Sequence, residues 1–408
     1  MTEHLYYHNS FLYDFEANVV DVVLASETEP RPALILDRTA FYPTSGGQIF
    51  DTGSIAVGEH QARVVEVSEA EDGTVHHFLD KLPDVHPGMR IHGSIDANRR
   101  RDHMQQHSGQ HVLSAAFVHL FDMPTVSFHM GDDYCSIDID AKAISPEQLE
   151  SVEQLANDII LDDRPVEIRF VSQEEARQLA LRKLPPAERG QLRLIDIRDF
   201  DLTACGGTHV RHTGQIGCIL LRKVEKVRQG MRVAFVCGQR AVQTARRDYS
   251  VLAEAASLFS SHIWDVCQQI RKSQEEAQAG RRQREQLLEE LAEQHAAHML
   301  EDAPALNGGK LVMHVFADRD LAYIKLLAQK LTRLEPKVVA LLGTTRQLSV
   351  VAAASTGQST DLAALLKKSL TSYGGRGGGS REMAQGGVPT AEAVEPVLTE
   401  IANMIRGR

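Results

Sequence analysis

Two short stretches of this chain combine residue types that hold transition metals. His107-Ser108-Gly109-Gln110-His111 and Cys205-Gly206-Gly207-Thr208-His209 each set two soft or borderline ligands four residues apart. On a helix that spacing stacks both side chains on one face, about a turn apart. The second motif, with its two glycines, fits either a helix face or a tight turn running into a helix. Together they offer one thiolate and three imidazoles, a donor set that suits Zn²⁺ and would hold Ca²⁺ or Mg²⁺ poorly. Four protein ligands describe a closed structural site, whereas catalysis asks for one weak or absent ligand. His209 is the first suspect, because the flexible Gly206-Gly207 pair separates it from Cys205. His103 extends the histidine ladder by another four residues, as a further ligand or as a supporting or surface residue.

The charge pattern bears on what could approach such a site. A net charge of −11 over 408 residues argues, by itself, against a polyanionic partner. Its distribution argues the other way. Between Cys205 and Arg247 the chain carries nine Lys/Arg (Arg211, Arg222, Lys223, Lys226, Arg228, Arg232, Arg240, Arg246 and Arg247) against one acid, Glu225. Arg99-Arg100-Arg101 precedes the first histidine motif. Both basic stretches flank the metal motifs, where a polyanion would have to dock. Near the N-terminus, Thr44-Ser45-Gly46-Gly47-Gln48 lacks the Gly-Lys-Ser/Thr ending of a P-loop. Its glycines let backbone approach a ligand closely, and Thr44 and Gln48 offer hydrogen bonds.

The wording of these motifs, with Phe41-Tyr42-Pro43-Thr44-Ser45-Gly46-Gly47-Gln48 and Asp51-Thr52-Gly53, resembles the editing module of alanyl-tRNA synthetase. That module also occurs as free-standing alanyl-tRNA editing proteins of the AlaX type, whose long form is similar to nearly the whole chain. The resemblance implies Zn²⁺ held by His107, His111, Cys205 and His209, with the glycine-rich loop beside the editing pocket. It implies hydrolysis in trans of Ser-tRNA(Ala), and of Gly-tRNA(Ala), and extends as an expectation to nucleotide and ATP binding. A pocket for alanine cannot strongly exclude serine, whereas a site that hydrogen-bonds the hydroxyl can reject alanine; Thr44 and Gln48 are the candidates for that bond. Arg99, Arg100, Lys226, Arg228, Arg232, Arg376 and Arg381 are the candidate tRNA contacts, tRNA(Ala) is the expected partner, and a homodimer would form through the C-terminal domain. A non-catalytic, zinc-stabilised tRNA-binding module and a deacylase for another mischarged tRNA are the competing expectations.

The elements that must position these residues follow a multidomain α+β order. Residues 1–92 read as a small β-barrel, with alternating runs at Ala17–Ala25, Ala33–Asp37, Ala62–Val67 and His76–Leu79 broken by turn residues; the resemblance makes it elongation-factor-like. Residues 93–240 form the α+β zinc-binding editing domain. A helix from Asp96 carries both histidines, and strands are expected at Ser127–Gly131, Cys135–Asp140, Val166–Val171, Leu192–Ile197, Gly217–Val224 and Met231–Gly238. Helices are expected at Ser145–Asp162 and Ser172–Leu184. His129 and Cys135 read as packing or pocket-wall residues, and Cys218 and Cys237 as buried thiols. Residues 241–304 are a helical linker of two helices or a hairpin, with Gly280 its one breaker.

Residues 305–408 are a C-terminal α/β domain, with strands near Leu311–Phe316, Val338–Leu342 and Leu348–Ala353 and helices from Asp320 and Asp361. It ends in a glycine loop, Gly374–Gly387, whose Arg376 and Arg381 suit a phosphodiester backbone. This part resembles the DHH-associated domain that ends alanyl-tRNA synthetase. The chain has no Asp-His-His sequence, so the phosphoesterase domain of other DHH proteins is not expected, and no aminoacylation domain is expected ahead of the barrel. Five scattered cysteines predict reduced thiols in a cytoplasmic protein. No apolar run of membrane-spanning length and no signal region are found, so no membrane partner is expected.

Overall fold

Six strands close into a barrel near the N-terminus: β1 (Asp14–Val23), β2 (Ala33–Leu36), β3 (Gly53–Val57), β4 (His60–Glu69), β5 (Val75–Leu79) and β6 (Arg90–Ile95), in the closed order β1-β2-β5-β4-β3-β6. The structure, a computed structural model, describes residues 1–26, 29–179, 181–182, 191–306, 308–357 and 360–407. Inward alternation fills the barrel with Phe15, Val19, Leu34, Ile55, Val64, Val67, Leu79 and Ile91. β3 and β6 escaped the sequence reading because their apolar runs are short, Gly93 interrupting the second. Gly93 is needed in β6, since a Cβ there would lie 2.4 Å from the Phe15 ring.

One histidine is sealed inside this barrel. His77 Nδ1–H donates to Leu34 O (3.0 Å), and Nε2 accepts from Thr39 Oγ1 (2.8 Å). Burial pulls its pKa down to about 4, because the charged form would lose both water and its acceptor role.

Asp96 caps helix α1 (Ala97–Phe121), its carboxylate accepting from the Asn98 and Arg99 N–H groups. Strands β7 (Thr125–Met130) and β8 (Cys135–Ile139) follow, then α2 (Pro146–Leu161) with a Ser145/Gln148 capping box and Pro146 in its first turn. Next come β9 (Val166–Val171), α3 (Gln173–Gln178), β10 (Leu192–Ile197), β11 (Asp201–Ala204), β12 (Ile219–Val227) and β13 (Gly230–Cys237). The sheets are β12-β13-β8-β7 and β9-β10-β11. The expected helix Ser172–Leu184 is shorter: it stops at Gln178, where Leu179 turns to extended backbone. Its last two positions, 183 and 184, lie outside the described residues.

The chain divides into two units, Met1–Glu254 and Ala255–Arg408, a division that falls within α4 (Gly238–Leu258). In the second unit α5 (Val266–Glu301) runs unbroken through Gly280. The helix break expected at Gly280 lies instead at residues 259–265; one glycine costs only about 1 kcal/mol in a helix and does not by itself end it. After α5 come β14 (Gly309–Phe316), α6 (Leu321–Leu334), β15 (Val338–Thr344), β16 (Ser349–Ala354), α7 (Leu362–Ser372), β17 (Arg376–Gly379), β18 (Met383–Gly387) and α8 (Val394–Arg406). With Ala305–Leu306 at one edge the sheet order is β14-β15-β16-β18-β17. The glycine run is thus a pair of antiparallel strands rather than a loop. A Cβ at Gly377 or Gly386 would meet Leu370 at 2.5 or 2.2 Å, so the glycines let α7 lie close on the sheet edge. Among the described residues no helix is long and apolar enough to cross a membrane.

A buried ion pair ties the barrel to α1. Arg100 and Asp51 are both 0% exposed. Arg100 Nε lies 3.1 Å from each Asp51 oxygen, Nη2 also reaches Oδ2, and Nη1 donates to Ser10 O (2.8 Å). Asp51 further accepts the Tyr42 N–H at 2.7 Å. Arg100→Met, which strands the carboxylate, is expected to lower unfolding free energy in urea by about 3–5 kcal/mol. For His77, the unfolded chain takes up a proton below pH 6.5 that the folded barrel refuses until about pH 4. Stability is therefore lost as pH falls through that window. His77→Gln should remove up to about 3 kcal/mol of the pH dependence between pH 7 and 4.5, read from urea midpoints.

Candidate metal centre

His107 and His111 lie one turn apart on the buried middle of α1. Cys205 and His209 lie on the irregular segment that leaves β11, so the helical spacing holds for the first motif and not for the second. One ligand atom from each of the four residues falls within 4.8 Å of all the others. Cys205 Sγ is 3.5 Å from His107 Nε2 and 3.4 Å from His209 Nε2.

Two of the imidazoles have a polar partner at hydrogen-bond distance on their other nitrogen, and the third faces a carboxylate there. His107 Nδ1–H donates to Gln48 Oε1 at 2.7 Å. His209 Nδ1 lies 3.2 Å from Ser108 Oγ, which also accepts the Val210 N–H. His111 Nδ1 lies 3.5 Å from the Asp201 carboxylate. Three Nε2 atoms are thereby left for the centre, the arrangement by which supporting groups fix a ligand's tautomer and orientation.

The electrostatics fit a cation. Burial alone would push the Cys205 thiol up, but the His107 and His209 imidazoles and hydrogen bonds from His107 and His111 hold it well below its ordinary value. Burial pulls His209 down to about 3. Burial also pulls on His111, yet Asp201 and Cys205 raise it overall. A thiolate among imidazoles in a dry pocket is a soft, borderline donor set. These residues fit Zn²⁺.

His209 does not stand out as the weak ligand. It is 3% exposed, its backbone N–H donates to Ser10 Oγ at 3.2 Å, and its second nitrogen lies 3.2 Å from Ser108 Oγ. His103 is no ligand of this cluster: it is 0% exposed, neither ring nitrogen has a hydrogen-bond partner, and burial pulls it to about 3. Gly207 is needed for the ring packing, because a Cβ there would lie 2.1 Å from His107 Cε1.

A cavity of about 280 Å³ opens on the ligands, lined by His107, His111, Cys205, Phe128, Gln110 and Arg182 among others. Phe128 stacks on His107 at 5.4 Å and walls one side. Neither Thr44 nor Gln48 is part of that lining. Thr44 is exposed, with its N–H on Val67 O. Gln48 is 0% exposed and its amide is engaged at both ends: Oε1 accepts from His107 and from the Thr208 N–H, and Nε2 donates to Thr208 Oγ1. Gln48 positions a ligand and does not read a substrate hydroxyl.

The candidate tRNA contacts divide. Arg100 is excluded by burial with Asp51, because no external phosphate can reach it. Arg99 is half-buried with its guanidinium over the Phe50 ring, and its Nε–H donates to Phe50 O. Arg232 is engaged with Asp138 through Nε (2.7 Å) and Nη2 (2.9 Å). Lys226, Arg228, Arg376 and Arg381 are exposed. Sequence reasoning missed Ser108, Asp201, Thr208 and Arg182. Ser108 and Thr208 sit inside the motifs and could have been found there, and Asp201 lies four residues before Cys205. Arg182 carried no signal.

Comparison with known proteins agrees with this geometry. The family model "tRNA synthetases class II (A)" matches residues 3–99, and "Threonyl and Alanyl tRNA synthetase second additional domain" matches residues 192–232. The alanyl-tRNA editing protein AlaX-L of Pyrococcus horikoshii is 29% identical over 392 residues, covering 95% of each chain. This chain is related to the alanyl-tRNA editing proteins. Alanine–tRNA ligases of Archaeoglobus fulgidus (30% identical, 95% of this chain, 42% of that one) and Pyrococcus abyssi (27%, 99% and 44%) match as well. The chain spans less than half the length of these ligases. Among solved structures, the C-Ala domain of Aquifex aeolicus alanyl-tRNA synthetase aligns with 26% of this chain and 99% of that one, at 19% identity and a TM-score of 0.24, too slight a likeness to inform the fold.

Loss of a supporting partner of this kind costs about 10–100-fold in metal affinity. Gln48→Ala should weaken zinc binding by that factor in chelator competition, and Gly207→Ala should abolish it by displacing the His107 ring.

Proposed function

We propose that this protein is a trans-editing hydrolase of the cytoplasm that deacylates Ser-tRNA(Ala), with Gly-tRNA(Ala) as a second substrate. The observation that carries this reading is the cavity whose wall includes three of the four ligand side chains, His107, His111 and Cys205. A zinc that only stapled the fold would need no such opening. The relative named as an alanyl-tRNA editing protein, matched end to end, supports the same reading.

Bound Zn²⁺ would supply Lewis-acid chemistry for the ester that joins an amino acid to the terminal ribose. The chain's own residues bind and orient. Phe128 and the Gly206-Gly207 backbone shape the walls. Gln110, Thr125 and Ser127 present polar groups to the cavity in place of Thr44 and Gln48. Gln110 Nε2 and Thr125 Oγ1 both point to Ser114 Oγ, at 2.7 Å each, which fixes their orientation. A seryl hydroxyl hydrogen-bonded here would distinguish serine from alanine. Arg99, Lys226, Arg228, Arg232, Arg376 and Arg381 are the proposed phosphodiester contacts. The C-terminal unit serves as a DHH-associated domain and as a dimer contact in this reading.

The test is deacylation of Ser-tRNA(Ala) and Ala-tRNA(Ala) by wild type and by Cys205→Ala, with zinc content measured. Serine release that spares alanine and disappears with the zinc is the expected result. A folded, zinc-loaded protein that hydrolyses neither substrate overturns the enzyme reading in favour of a zinc-stabilised binding module.

A further inference from the structure

Among the described residues, Arg182 is the one Lys or Arg side chain in the cavity lining. Its Nε and Nη2 donate to Asp201 at 2.7 and 3.1 Å, and its backbone N–H donates to Leu202 O at 3.0 Å. Asp201, 2% exposed at its side chain, is the carboxylate that faces His111. This clasp uses two of the five guanidinium N–H donors. The other three have no hydrogen-bond partner among the described residues. The side chain is 16% exposed, which sets it at the rim of the cavity rather than its floor.

An arginine pinned on one side by a buried carboxylate and open on the other is a ready receptor for an oxyanion, and its planar fork matches the oxygens of a phosphate better than an ammonium would. The cavity volume points the same way. About 280 Å³ lies at the small end for a ligand site. A substrate whose aminoacyl group fills it therefore extends out through its mouth. With an aminoacyl ester at the metal ligands, the next charged group of the substrate, the phosphodiester on the 5′ side of the terminal ribose, falls at the rim.

We propose that Arg182 binds the 5′ phosphodiester of the terminal nucleotide and so registers the ester against the metal ligands, an assignment that rests on the deacylase reading. The carboxylate of the released amino acid is the other oxyanion that could meet this side chain. The phosphodiester is favoured because it is charged before the reaction as well as after, so a fixed cation there acts in substrate binding.

The experiment compares 3′-O-seryladenosine with the same ester carrying a 5′-phosphate, by kcat/KM, for wild type, Arg182→Gln and Arg182→Lys, with zinc content and melting followed in each. Wild type should favour the phosphorylated ester by about 10- to 100-fold, the range of a charge-assisted hydrogen bond. Arg182→Gln should bring that ratio near one, whatever common loss both esters suffer through Asp201, and Arg182→Lys should keep part of it. A ratio that survives Arg182→Gln overturns the proposal. So does a loss of inhibition by free serine with the phosphate ratio intact, which would assign Arg182 to the product carboxylate. Should the glutamine variant lose zinc or fold, the wild-type ratio and the lysine variant decide. Wild type that cleaves Ser-tRNA(Ala) without any phosphate preference overturns this inference alone, whereas wild type inactive on every ester overturns the deacylase reading with it.

Discussion

The side-chain amide of Gln48 is the joint on which the centre depends. It comes from the loop between β2 and β3, yet its carbonyl oxygen accepts from a histidine of α1 and from the backbone of the Cys205–His209 segment, while its amide group donates to Thr208. Three stretches of chain far apart in sequence therefore share one planar group with no water to replace any partner. A buried polar group left unpaired costs about 1–3 kcal/mol, so each stretch constrains where the other two can settle. The four candidate metal ligands inherit that constraint. His107 faces inward because its other nitrogen is taken, and Gly207 has no side chain because the His107 ring fills the space.

Arg100 and Asp51 show the same logic at a different scale. A basic residue beside a metal motif invites a phosphate, and the charge count alone cannot tell a solvated guanidinium from a buried one. Burial decides it here. The pair spans from the Asp51 loop to the first turn of α1 and gathers Ser10, Ala40 and Tyr42 around it. It sets the angle at which α1 leaves the barrel, and with it the placement of His107 two turns later. Ser10 links this pair to the centre, since its carbonyl accepts from Arg100 and its hydroxyl from the His209 N–H.

Much of this was legible in the residues, for identifiable reasons. Ser145, Pro146 and Gln148 announce α2 because caps are local chemistry, and Val166–Val171 and Leu192–Ile197 alternate cleanly enough to be read as strands. The four ligands were visible because thiol and imidazole at fixed spacing have few other uses together. What stayed hidden depended on long-range packing. The β17–β18 pair looks like a loop because its glycines answer to Leu370 and not to any local rule. Gly280 looks like a break, yet α5 continues through it. Gln48 looks like a substrate contact until it is seen to be buried and bonded to His107 and Thr208 at both ends of its amide.

The sequence separations within the centre also order its assembly on the ribosome. Arg100 reaches Asp51, Ser10 and Ala40 across separations of 49, 90 and 60 residues. His107 and Cys205 are 98 residues apart, and at synthesis rates of about 5–20 residues per second the second ligand pair emerges roughly 5–20 s after the first. During that interval the nascent chain presents two histidines and a glutamine amide with no thiolate to complete the set. A metal held by all four residues would therefore be enclosed only after the Cys205–His209 segment is made, when Arg100 and Asp51 can already hold α1 against the barrel.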